Sequence, residues 1–191
     1  MDQVSIGWWD ISKIVLASGL LSAVVSQGLQ WLKESRKDAR KYKAEATLNA
    51  IGLVGILDRY VSRCHQKIKK YDGDPTYYSS SEWCYPPDLD LADAKLEYFN
   101  GKVLSKLAWL KTERALALDL ASDVLERQSD PESYQDHCVN ITGYSGYEIA
   151  LVSKLIRKEH KLPELSSGRA MNEKVEGLRV YWERAKKTLL S

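Results

Sequence analysis

The stretch IVLASGLLSAVVSQGLQWL, residues 14–32, runs for nineteen residues without a formal charge, and KESRKDARKYK, residues 33–43, follows it at once. At about 1.5 Å per residue a helix of that length extends roughly 28 Å, close to the hydrocarbon thickness of a bilayer. Trp8 and Trp9 precede the run and Trp31 sits at its far end, where indoles favour the headgroup region. The basic run carries Lys33, Arg36, Lys37, Arg40, Lys41 and Lys43 against only Glu34 and Asp38, whereas Lys13 is the single basic side chain before the apolar stretch. The positive-inside rule then sets the N-terminus outside and the C-terminal side in the cytoplasm.

The sequence accordingly predicts an external tail over 1–13, a transmembrane anchor over 14–32, a basic juxtamembrane segment over 33–43 and a cytoplasmic helical body over 44–191. The six cations are expected to touch anionic lipid headgroups, making the bilayer itself a partner. Ser18, Ser22 and Ser26 recur every four residues with Gly19 and Ala23 alongside, a seam of small side chains of the kind that lets helices associate in lipid. A homo-oligomer through the anchor is one reading of the seam; the other is that small residues are common in spans and the hydroxyls bond back to their own helix. The serines, Gln27 and Gln30 also leave open a buried helix, a cleaved secretory signal or a helix lying on the surface.

Length and charge set further bounds. At 191 residues the chain suits one domain plus an anchor, and 28 Lys and Arg against 26 Asp and Glu give a net +2, so no global charge points to nucleic acid. Three cysteines, Cys64, Cys84 and Cys138, cannot all pair within one chain, and a cytoplasmic setting keeps thiols reduced; no disulfide is expected. Cys64-His65 and His137-Cys138 lack metal-ligand spacing, since neighbouring residues on a helix point about 100° apart. No cofactor or metal is expected.

Along the chain, residues 34–71 contain no proline, and Ala50, Val54, Leu57, Val61, Cys64 and Ile68 step by four and three, the mark of a core-facing seam. Leu53, Ile56 and Tyr60 widen it beyond a two-stranded coil. Gly52 and Gly55 predict a close helix crossing. Asp72-Gly73-Asp74-Pro75 ends this helix. A long loop over 72–91 follows, and its Tyr77, Tyr78, Trp83 and Tyr85 either bind a protein partner or cap the body.

A second helical region runs from Asp90 to about Gln128, with Val103, Leu107, Leu110, Ala117 and Ala121 inward; at Asn100-Gly101 a helix break or kink is expected ahead of a short hairpin turn. Asp130 and Pro131 start a third helix, ended by Pro163, in which Gly143 and Gly146 thin the surface for close packing. His160 near its end is expected to interact with the terminal carbonyls. Met171, Val175, Leu178, Trp182, Ala185 and Leu189 mark a fourth. The fold class is all-α: a transmembrane helix continuing into an antiparallel bundle of about four helices.

No nucleophile, base or phosphate loop has recognisable spacing, so an enzyme is not expected. The anchor, the basic stop, Trp83-Cys84-Tyr85-Pro86-Pro87-Asp88 and the closing Gly146-Tyr147-Glu148-Ile149-Ala150 through Leu162-Pro163 together resemble uncharacterised bacterial single-pass membrane proteins with a cytoplasmic helical domain. The resemblance implies a bacterial inner-membrane setting and supplies no site residues. The functional expectation is a membrane-anchored helical interaction or scaffold protein with an unknown protein partner. The alternative is a membrane-active stress or defence effector acting through oligomerised anchors.

Overall fold

The computed structural model describes residues 8–73, 85–128, 131–163 and 168–189, and for residues 8–30, 32, 73, 124, 125, 127, 128, 131, 132 and 189 the backbone alone. Among the described residues the chain is all-α, with no strand. It has four α-helices, α1 (Trp8–Gly73), α2 (Gly101–Gln128), α3 (Pro131–His160) and α4 (Gly168–Leu189), and a 3-10 turn at Leu96–Tyr98. Two compact units divide it, residues 1–45 and 46–191.

In the first unit, Trp31 and residues 33–44 of α1 are exposed, the six predicted headgroup contacts Lys33, Arg36, Lys37, Arg40, Lys41 and Lys43 among them. The membrane assignment is corrected: among the described residues no helix is long and apolar enough to cross a membrane. The helix that carries residues 14–32 runs unbroken through the basic run to Gly73. The single-pass inner-membrane location and the effector built on oligomerised anchors lose their basis with it. The packing assigned to Ser18, Gly19, Ser22, Ala23 and Ser26 lies outside the described side chains.

The second unit is built on the predicted seam of α1. Ala50, Leu53, Val54, Leu57, Tyr60, Val61, Cys64 and Ile68 are all buried and form one core with Val103, Leu107 and Leu110 of α2, Val139, Ile149, Val152 and Ile156 of α3, and Leu178 of α4. Helix directions follow from pairs of contacts. Asp58 meets Arg157 and Tyr71 meets Asp136, so α1 and α3 are antiparallel; Lys174 meets Ser62 and Tyr181 meets Asp72, so α1 and α4 are parallel. Asn100 meets Glu159 and Tyr144 meets Glu113, so α2 opposes α3. In the second unit, then, α3 alone runs against the other three, and the strictly alternating order expected from the sequence does not hold. Short links reverse direction at each end of α3, whereas residues 74–100 are long enough to return the chain to its starting end.

The described part of that return, residues 85–100, straps the body. The backbone carbonyl of Tyr85 accepts from Lys67 at 3.0 Å, that of Pro87 accepts from Arg114 at 2.9 Å, and Leu89, Leu91, Ala94 and Leu96 pack against the core. Asn100-Gly101 is a break between helical segments and not a hairpin turn. The Asn100 Oδ1 accepts the Val103 N–H at 3.0 Å, an N-cap, so α2 begins at Gly101 and not near Asp90. At the end of α3, Leu162 N–H donates to the Arg157 carbonyl and Lys161 N–H to that of Lys158, the paired bonds of a Schellman cap, with Lys161 at φ 52°.

The two glycine pairs have opposite roles. A Cβ on Gly52 or Gly55 would meet nothing within 4 Å, so the predicted close crossing there is corrected: these positions face outward. A Cβ on Gly146 would stand 2.8 Å from Cys64 Cβ and 2.9 Å from Leu178 Cδ1, and one on Gly143 would collide with Tyr181. Gly146→Ala is therefore expected to destabilise by about 1–3 kcal/mol through overpacking, outweighing the gain in helix propensity. Gly55→Ala should stabilise by up to about 1 kcal/mol. Urea unfolding of both variants checks the pair, and equal shifts of one sign would refute it.

Candidate functional site

Three places concentrate polar or unpartnered side chains. The first is a cleft of about 310 Å³ among α1, α3 and α4, with Val61, Ala150, Met171 and Val175 as its apolar wall and Asp58, Ser153 and Arg157 at its polar side. Ser153 Oγ donates to Asp58 Oδ1 at 2.7 Å, Arg157 donates to Oδ2, and the second arm of Arg157 reaches the Pro163 carbonyl at 3.1 Å. Both carboxylate oxygens are thus occupied, and the side chains of Arg157 and Asp58 are 19% and 14% exposed. The geometry is that of a clamp joining α1 to the end of α3.

A second cleft, about 290 Å³, lies between α1 and the strap, lined by Arg59, Tyr60, Arg63, Asp88, Asp90 and Asp93. Arg114 reaches Asp88 at 3.3 Å, but Asp88 is almost fully exposed, so the pair contributes little. Asp90 Oδ1 is taken by the Ala92 N–H at 2.9 Å. Opposed cations and anions of similar number leave this cleft without a dominant sign.

Buried phenols and thiols make up the interior polar set. Burial pushes the Cys64 thiol up to about 12, against the pull of its Tyr60 bond and of Lys67 and Arg114, and burial likewise raises the Tyr60 phenol. Tyr134 is raised first by burial and then by its 2.5 Å contact with Tyr85; Tyr181 is pushed up to about 12 by burial and by its bond to Asp72. His65 is lowered by burial, then by Lys174 and Lys69. The phenols and the Cys64 thiol are held neutral in the ordinary pH range and serve packing.

Of the loop residues singled out in the sequence, Tyr85 is half-buried with its hydroxyl on Tyr134, a capping role; Tyr77, Tyr78 and Trp83 lie outside the described residues, as does Cys84. His160 stacks edge-on against Phe99 at 5.6 Å, where contact with the terminal carbonyls was expected. Among the described residues no group of three or more His, Cys, Asp or Glu is placed to hold a metal.

The third place was missed in the sequence. On α2 the inward side carries Val103, Leu107, Leu110 and Ala121, while Trp109, Leu116 and Leu120 stand 64%, 57% and 52% exposed. Their spacing of seven and four puts them within about 40° of one another around the helix, some 120° from the inward seam. The three therefore form one row of exposed apolar side chains along α2, with the exposed Thr112 and Glu113 flanking it between Trp109 and Leu116. The signal was legible as a second 7/4 spacing in a helix already given an inward face.

Two measurements follow from the clamp and the buried acids. Asp58→Ala should cost about 2–4 kcal/mol, because it leaves Arg157 and Ser153 partly buried without their acceptor; a loss below 0.5 kcal/mol in urea unfolding, the range of an ordinary surface change, would show the clamp to be incidental. Folded Cys64 holds its proton between about 9 and 12, where the unfolded thiol releases it, so the unfolded state binds fewer protons there and stability falls as pH rises through that window. Unfolding midpoints at pH 8, 10 and 11 should decline in order; a flat series would refute the assignment. No protein-family model, no curated protein and no solved structure matches the chain, so the residues themselves carry the functional reading.

Proposed function

We propose that this chain is a helical interaction or scaffold protein whose output is binding of a protein partner and not chemistry, and that residues 46–191 act as a helical bundle presenting α2. The observation that carries this is the exposed row Trp109, Leu116 and Leu120 on a helix whose opposite side is already buried in the core. Isolated exposed apolar residues are ordinary, but a row at helical spacing is the form in which one amphipathic helix meets another. The Asp58 carboxylate with both oxygens occupied, and a second cleft of balanced charge, favour binding over catalysis as the role of the fold.

Magnitude sets the kind of binding. Covering one Trp and two Leu stabilises a complex by roughly 5–8 kcal/mol gross, and association costs about 4–15 kcal/mol in lost freedom. The row therefore suits a weak, exchanging contact unless a wider surface joins it. A photo-crosslinking residue placed at Leu116 in the cell should give covalent protein adducts, while the same group at Glu173, exposed on α4, should not. Equal yields at the two positions would overturn the reading.

A further inference from the structure

We propose that the part of α1 in the first unit carries a docking face for duplex DNA, made by Lys33, Arg36, Lys37, Arg40, Lys41 and Lys43. The face is independent of the α2 row. At about 100° per residue the six cations fall within an arc of roughly 160°, with Lys33 and Arg40 along its middle, Arg36 and Lys43 toward one edge, and Lys37 and Lys41 toward the other. Glu34, Asp38 and Glu45 all lie outside the arc, beyond its Lys41 edge. The whole chain carries a net charge of only +2, so the cationic character is local to this face. All six are exposed, and among the described residues Lys33, Arg36, Lys37, Arg40 and Lys41 are in no ion pair.

This arrangement works against the helix alone. Lys33 with Lys37, Lys37 with Lys41 and Arg36 with Arg40 set like charges four residues apart, where they repel. A polyanion laid along the face converts each repulsion into attraction to a common partner. Charge density and shape then choose the polyanion. Six cations over roughly 15 Å of helix approach the density of a duplex, which bears one phosphate per about 1.7 Å of its axis. An arc this wide points cations sideways as well as forward, and a groove answers it with phosphates on both walls. The major groove of DNA, about 12 Å wide, admits a helix about 10–12 Å across, whereas that of duplex RNA is too narrow. A lipid surface lies on one side only, and helices that settle on it turn aromatic or large apolar side chains toward it. In this stretch the aromatic residue, Tyr42, is 58% exposed and stands on the opposite side of the helix from Lys33. Contacts to phosphate carry no base information, so the binding is sequence-tolerant.

The full chain is titrated against a fluorescently labelled DNA duplex of about 20 base pairs, read by anisotropy. Half-saturation is expected between about 1 and 100 μM at 0.15 M salt, with log K falling against log salt at a slope of about −5. The combined change Lys33→Gln, Lys37→Gln and Lys41→Gln should weaken binding at least about tenfold and flatten the slope by about 3, with helicity unchanged. Arg at the same three positions should retain binding, and Glu34→Gln with Asp38→Asn should leave it intact or tighten it. No binding at about 100 μM in 0.05 M salt, or a triple Gln variant that binds like the parent chain, overturns the proposal. Duplex RNA of the same length should bind at least about threefold more weakly; equal affinity overturns the major-groove fit. Phosphatidylserine–phosphatidylcholine vesicles at equal phosphate should not displace the duplex, and displacement assigns the face to lipid and overturns the DNA reading.

Discussion

The close approach of α3 to α1 at Gly146 and Cys64 sets the dimensions of everything in residues 46–191. With no side chain at Gly146, the Cys64 thiol and the Leu178 methyl occupy the volume that a Cβ would fill, and Gly143 gives Tyr181 of α4 the same room. Helix axes normally stand 8–10 Å apart, and small residues at a crossing hold them at the near end of that range. Because interiors are close-packed, this one spacing propagates: the clamp of Asp58 with Ser153 and Arg157 above it, and Tyr71 on Asp136 below it, can form only where α1 and α3 lie at that separation.

The same crossing shows what a sequence can and cannot disclose. The α1 seam from Ala50 to Ile68 was legible in full, since a 4-3 repeat states which side of a helix is apolar irrespective of what covers it. The start of α3 at Pro131 was legible for a local reason, cap chemistry. Gly52-x-x-Gly55 and Gly143-x-x-Gly146 have identical spacing, yet the first pair faces outward and the second makes the crossing. Nothing local separates them. Chain direction was hidden as well, because whether α2 returns beside α1 or reverses against it depends on how residues 74–100 run. The apolar stretch at 14–32 was read from its length and its flanking charge, not from any packing of its side chains.

Two periodicities overlap on α2. Once Val103, Leu107, Leu110 and Ala121 account for α2 as a core helix, Trp109, Leu116 and Leu120 look redundant in a list of apolar residues; only solvent exposure separates the two sets. The aromatic loop, by contrast, drew notice in the sequence because it is conspicuous, and its described portion spends Tyr85 and the backbone carbonyls of Tyr85 and Pro87 on fastening the strap to the body.

The order of helices along the chain carries a cost in time. The contacts that hold the buried side of α1 join residues far apart in sequence: Asp58 to Ser153 spans 95 residues and Asp72 to Tyr181 spans 109. At a synthesis rate of about 5–20 residues per second, the seam from Ala50 to Ile68 leaves the ribosome roughly 5–20 seconds before its α3 and α4 partners exist. During that interval an unshielded row of Val, Leu and Ile faces the crowded cell, so the nascent chain needs either a chaperone's hold or a provisional collapse of the seam upon itself until the last helix arrives.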